Sequence, residues 1–201
     1  MVYRRTLAAA ARKDARRKLL LDAATSLFGS LGYHAATVPM IVAQAHSSVG
    51  SFYAHFRSKE DVFAAVMEEL SKKVAEVMYR AGESAASPVL GISCAVEALF
   101  LFLAENPREA RILIVESSGL SPRLEHLRRG ILGRHAGKVC QKLKSAPEAY
   151  CVVDPAIAAR CLVGAVFETL TSWLEEDPAE RPLAAKVART VADYNLRAIR
   201  G

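Results

Sequence analysis

Sustained alternation of apolar and polar residues is missing from this chain, and no Asn-Gly or Asp-Gly pair joins two apolar runs, so strands and hairpins have almost no support. The four cysteines, Cys94, Cys140, Cys151 and Cys161, include no C-x-x-C pair, and none stands near histidines at zinc spacing. His126 and His135 are nine residues apart, too far to share one helical face. Four ordinary thiols in a reducing compartment are expected, with no metal and no cofactor. None of G-x-S-x-G, H-E-x-x-H or G-x-x-x-x-G-K-S/T occurs, so no catalytic residue is assigned and no enzymatic activity is expected. A secretory signal is also lacking: the early apolar run Ala8–Ala11 is short and is followed by Arg12, Lys13, Arg16, Arg17 and Lys18, which points to a cytoplasmic chain. The two most apolar stretches, 89–104 and 156–174, are broken by Glu97 and by Arg160 and Glu168, as core helices are and membrane spans are not.

What is present is helical periodicity and a lopsided charge. The 201 residues carry 27 Lys and Arg against 21 Asp and Glu, a formal charge of +6. Seven of the basic residues and one of the acids lie in the first 18 positions, so the remaining chain holds 20 of each sign and is neutral. A basic end on a neutral body suits an anionic partner such as nucleic acid or an acidic surface.

Leu19, Leu20, Ala23, Ala24, Leu27 and Phe28 recur at three- and four-residue spacing, one apolar stripe of a helix that Gly29 and Gly32 end. A short helix is predicted over Val38 to Ala45, capped by Thr37 with Pro39 in its first turn, and another from a Ser48 cap to about Phe56. Ser58-Lys59-Glu60-Asp61 opens a longer helix that reaches Arg80 or Ala81. The Gly82–Pro88 stretch reads as a domain boundary. Beyond it, punctuation by Asn106-Pro107, Gly119 to Pro122, Ala146-Pro147, Asp154-Pro155 and Asp177-Pro178 marks helices near 89–105, 107–118, 122–144, 155–175 and 182–199. The fold class is therefore all-α, with about nine helices.

Two short helices joined by a tight turn, resting on a longer helix and preceded by basic residues, outline a helix-turn-helix. Ala23-Ala24, Leu27-Phe28, Gly32-Tyr33, Thr37-Val38, Ile41, Gly50, Phe52-Tyr53, His55-Phe56, Ser58-Lys59-Glu60 and Val62 carry a close resemblance to the DNA-binding domain of the TetR family of bacterial transcriptional regulators, over Arg17 to Phe63. The resemblance implies a basic arm at 1–15, a DNA-binding domain at 16–81 with its helix-turn-helix at 37–56, and an effector-binding and dimerisation domain at 83–201. It implies a homodimer that binds a palindromic duplex DNA operator, most simply as a repressor released by an unidentified small-molecule effector, with no membrane partner. It also makes Thr37, Tyr53, His55 and Lys59 contacts to the DNA backbone.

The residues support that reading on physical grounds. Ser48, Val49, Gly50 and Ser51 form a first turn of small side chains that lets backbone approach base edges in the major groove. A glycine there costs a helix about 1 kcal/mol against alanine, which close approach would justify. Tyr53 remains open between a phosphate contact and a half-buried core aromatic, and His55 between a contact and a surface cap. Arg16 and Arg17 belong to a run that repels itself and opposes the helix dipole unless an anion is near, although a solvated tail is the other reading. Where the family's turn carries glycine and an apolar residue, this chain has His46 and Ser47; the turn is expected to be strained, and Ser47 to give up an apolar contact between helices or to touch DNA. The other functional reading is a helical interaction protein that binds polyanions without sequence preference.

In the second domain, Glu97, Phe100, Leu103, His126, Phe167, Glu168 and Trp173 are candidate pocket residues, ordinary core being the other reading of the apolar ones. The resemblance makes the helices at 155–175 and 182–199 a four-helix bundle with a second copy, with Leu162, Ala165, Val166, Val187, Val191 and Tyr194 as candidate contacts, packing within one chain being the other reading of these faces.

Overall fold

A computed structural model describes the backbone of residues 2–200 and the side chains of residues 11–200. Nine α-helices occur among the described residues: α1 (Val2–Leu31), α2 (Val38–Gln44), α3 (Val49–Tyr53), α4 (Lys59–Glu83), α5 (Pro88–Glu105), α6 (Pro107–Ala110), α7 (Pro122–Ser145), α8 (Pro155–Glu175) and α9 (Ala184–Arg200). The backbone of the expected arm is helical from Val2 onward as part of α1. The side chains of Arg4 and Arg5 lie outside the described residues.

Three helix starts follow one syntax. Ser87, Ser121 and Asp154 each cap a helix whose first residue is proline, and the capping oxygen accepts from Leu90 N at 3.3 Å, Leu124 N at 3.2 Å, and both Ala156 N and Ile157 N at 2.7 and 3.0 Å. Proline fits because its missing N–H would be unsatisfied there in any case. The two backbone N–H donors hold the Asp154 carboxyl below its usual pKa. The region expected as one helix over 107–118 is instead the single turn α6 followed by a π-helical stretch, Arg111–Glu116.

The chain divides into two compact units, Met1–Glu68 and Glu69–Gly201. This boundary falls inside α4 and not in the Gly82–Pro88 stretch, because the C-terminal half of α4 belongs to the second core: Val74 is buried with Val96, Leu99 and Phe100. The first unit closes around Phe28, whose ring meets Phe63 edge-on at 4.9 Å and stacks near Tyr33 at 5.8 Å. Phe52 and Phe56 are buried in the same unit. In the second unit α5 packs on α9 and α7 on α8. By length and composition α5 and α8 match membrane spans, but their apolar stripes meet those neighbours within the bundle.

Candidate nucleic-acid interface and cavity

α2 and α3 are joined by a turn whose hydrogen bonds explain its shape. The Ser47 N–H donates to Val42 O at 2.8 Å and the His46 N–H to Ala43 O at 3.1 Å, the paired bonds of a Schellman cap. That cap needs a left-handed residue after the C-cap, and His46 takes it with φ 45°. Histidine pays the Cβ clash that glycine would avoid, so the turn is strained at its backbone, as its sequence predicts. The Arg16 guanidinium donates to the His46 carbonyl at 3.4 Å. Ser47 is half-buried, and its hydroxyl oxygen has no hydrogen-bond partner among the described residues.

Thr37 and Ser48 cap α2 and α3, accepting from Met40 N at 3.4 Å and Ser51 N at 3.1 Å. Both remain exposed, as do Val49, Gly50 and Tyr53, with Val49 at 49% and Tyr53 at 56% relative exposure. A Cβ added to Gly50 would meet nothing within 4 Å, so the fold of the free chain does not require glycine there. Ser51 and His55 are half-buried, while Phe52 is the side chain by which α3 is anchored. Tyr53 therefore stands on the surface, although its ring meets Phe52 edge-on at 5.3 Å.

Basic groups from α1 gather beside this face. The Arg17 guanidinium lies 5.2 Å from the Phe56 ring centroid. Burial lowers the His55 pKa, and the charges of Lys13 and Arg17 lower it further; Asp14 opposes them, and Arg16 adds a smaller lowering effect. Lys13 stands with Arg16 and Arg17, since the spacing 13, 16, 17 puts all three on one face of α1.

Lys59 departs from expectation. Its ammonium donates to the carbonyls of Tyr33, His34 and Ala36 at 2.8, 3.3 and 3.0 Å and sits 4.4 Å from the Tyr33 ring centroid. All three N–H donors hold the loop between α1 and α2, which leaves none for a phosphate. Burial pulls its pKa down.

The predicted pocket residues do not assemble around one space. Phe100 and Leu103 are packed in the core of the second unit with Leu99 and Leu170. Trp173 is also buried; its indole N–H donates to Pro182 O at 2.8 Å, and Arg181 stacks 4.7 Å above the ring. Glu97 is half-buried, His126 and Glu168 are exposed, and Phe167 lies under Arg128 at 5.2 Å while lining a trough between α7 and α8. The predicted dimer residues divide in the same way. Leu162, Val166 and Val191 are buried within the chain, Val187 packs on the same core as Val166 and Ala165 is half-buried, whereas Tyr194 is 63% exposed. The helical stripes have the expected period; Leu162, Val166, Val187 and Val191 pack within their own chain, and Tyr194 stands free on the surface.

A cavity of about 390 Å³ opens elsewhere in the second unit, between the end of α4, the start of α5 and the second half of α7. Met78, Ile92, Val96 and Val139 form apolar wall, and His135, Lys138 and Lys142 add basic groups. Its size is within the range of small-molecule sites.

A sequence pattern for the family described as bacterial regulatory proteins, tetR family, matches residues 20–66, the span from the first buried turn of α1 to the middle of α4. The HTH-type transcriptional regulator YdgC of Bacillus subtilis (strain 168) is 29% identical over 185 residues, 85% of this chain and 88% of that protein. The fatty acid metabolism regulator protein of the same organism is 24% identical over 162 residues, 79% of this chain and 83% of its own length. Among solved structures, the transcriptional regulator FadR from Bacillus subtilis in complex with stearoyl-CoA superposes with a TM-score of 0.79 over 90% of this chain and 98% of that one, at 20% identity, a likeness of fold.

Proposed function

Because the chain belongs to the tetR family of bacterial regulatory proteins and is a DNA-binding transcriptional regulator, we propose that it represses its genes by occupying a palindromic operator as a homodimer and leaves when a small molecule fills the cavity between α4, α5 and α7. The observation that carries the DNA half of this reading is the exposed first turn of α3. Val49 and Gly50 stand clear of the fold with Thr37, Ser48 and Tyr53 around them and Lys13, Arg16 and Arg17 alongside. Small side chains at the front of a short helix permit contact with base edges, and flanking cations and hydroxyls hold phosphates on either side. Lys59 has a structural part in this arrangement, fixing the loop that delivers Thr37.

A single unit reads one half-site, and a two-fold pair is the simplest way to hold two readers about one helical turn apart. Ile157 on α8 and Tyr194 on α9, 58% and 63% exposed, are apolar side chains that a second copy would cover. The chain acts in the cytoplasm on duplex DNA, and no catalytic step enters the reading. Release follows if the effector binds one of two conformations more tightly, since differential affinity alone shifts such an equilibrium. α4 runs without a break from the first unit into the second, which supports it as the element that carries the shift.

A reporter gene placed behind the operator tests the proposal. Expression is expected to fall when the chain is supplied and to stay high with Gly50→Leu. Activation by the chain contradicts repression, and no response of either sign contradicts regulation through that operator.

A further inference from the structure

The cavity's chemistry identifies the class of molecule it accepts. Met78 from α4, Ile92 and Val96 from α5, and Val139 from α7 give it an apolar wall suited to a hydrocarbon chain. One side is cationic. Lys138 and Lys142 are one helical turn apart on α7, where like charges repel, and among the described residues neither has a salt bridge or a side-chain hydrogen bond. Glu83 is the acid among the lining residues, and it is exposed.

The Lys142 ammonium lies close to Gly91. A Cβ at Gly91 would lie 2.8 Å from the Lys142 ammonium and 2.7 Å from the Gly82 carbonyl oxygen, so any side chain at Gly91 would displace one or both. The absence of that side chain leaves room for a half-buried ammonium where the end of α4 approaches the start of α5. His135 faces the same space; burial lowers its pKa, with Lys138 and then Arg134 adding to the effect. A half-buried cation without a counter-ion beside an apolar wall is satisfied by a ligand that brings an anion and a tail together.

We propose that this cavity binds an anionic amphiphile, with its acid group against Lys138 and Lys142 and its apolar chain along Met78, Ile92 and Val96. This deepens the effector reading given above and rests on it. The acid group is a carboxylate or a phosphate; both present the anionic oxygens that two ammonium groups bind.

Isothermal titration calorimetry with four probes that share one chain separates the possibilities: sodium decanoate, decyl phosphate, decanol and decyltrimethylammonium bromide, each below its micelle concentration. At least one anionic probe is expected to bind about tenfold or more tightly than decanol, with the cationic probe weakest; whichever anion is preferred identifies the head group. The Lys138→Gln/Lys142→Gln double variant is expected to lose the preference for anions and to keep its affinity for decanol. Should the double variant fail to fold, Lys138→Gln alone, at an exposed position, is expected to lose part of that preference. Decanol binding as tightly as the anions, an unchanged anion preference in the folded variant, or binding of none of the four overturns the proposal. Operator binding by the same wild-type preparation distinguishes the two levels: if it is intact, only the ligand class falls, and if it is absent, the regulator reading falls with it.

Discussion

Replacing Gly50 by leucine separates what the fold needs from what the DNA needs. In the free chain a Cβ at this position has open space to 4 Å, and the backbone is not in the left-handed region, so the substitution meets no obstacle. Leucine is a better helix former than glycine by about 0.8 kcal/mol in a helix interior, and less in the first turn, so stability is expected to hold or to rise by ~0.5 kcal/mol. For a chain of this length that is a gain of about 1–2 °C in Tm. The effect on DNA has the opposite sign. Four extra carbons between α3 and the groove hold the helix away from base edges, and each base-edge interaction that this prevents is worth about 1–3 kcal/mol. Preventing two of them amounts to ~2–6 kcal/mol, a fall in affinity for the selected operator of at least about thirtyfold at 1.4 kcal/mol per factor of ten. Binding to arbitrary duplex DNA, which depends on phosphates, is expected to change far less. Thermal denaturation by circular dichroism and fluorescence anisotropy with operator and scrambled duplexes measure both sides. Operator affinity within threefold of wild type would place the first turn of α3 away from the DNA, and an unfolded variant would contradict the open space around Gly50.

His46→Gly relieves a left-handed histidine, so chemical denaturation is expected to show a gain of ~0.5–1 kcal/mol, the strain of about 1–2 kcal/mol offset partly by the greater freedom of glycine when unfolded; a loss of stability would mean that the imidazole itself is needed. Lys59→Met removes three hydrogen bonds from a charged donor to loop carbonyls and is expected to cost about 1.5–3 kcal/mol, seen as a lower midpoint in urea, with operator affinity affected only through the loop; unchanged stability would return Lys59 to the DNA-contacting set. His55 and His135 both bind protons less readily folded than unfolded, so stability of the free chain is expected to decline as pH falls below about 6.5. A phosphate beside His55 would raise its pKa, so the complex takes up a proton and operator affinity is expected to increase over that same fall in pH; His55→Gln removes the increase, and an affinity in wild type that ignores pH places His55 away from phosphate.

Local chemistry accounts for what was legible in the sequence. Thr37 and Ser48 announce helix starts by their own side chains and cap the helices that follow, and the prolines at 122 and 155 mark starts that Ser121 and Asp154 cap. The strained turn at His46 was legible for the same reason, since a left-handed residue is required wherever two helices meet so closely. What the sequence left obscure depends on partners distant along the chain. Lys59 finds carbonyls 23 to 26 residues earlier, which no local pattern reveals. Phe100, Leu103 and Trp173 have the composition of a pocket and the position of a core, and only packing distinguishes the two. Leu162, Val166 and Val191 lie on apolar stripes whose period is plain, but a period does not say whether the stripe meets its own chain or a second copy. The cavity escaped notice because Gly82, Gly91 and Lys142 acquire meaning only where α4, α5 and α7 converge.

The exposed face of α2 and α3 is held to read a defined duplex sequence, and everything else proposed for the chain depends on it. Selection from random duplex DNA by the purified chain, followed by a salt titration on the enriched sequences, tests this most directly. The expected result is a palindrome whose half-sites are about one helical turn apart, with affinity falling steeply as salt rises because several phosphates are neutralised. Binding of every sequence alike, with the same salt dependence, would contradict it and leave a chain that recognises only the charge of the polymer.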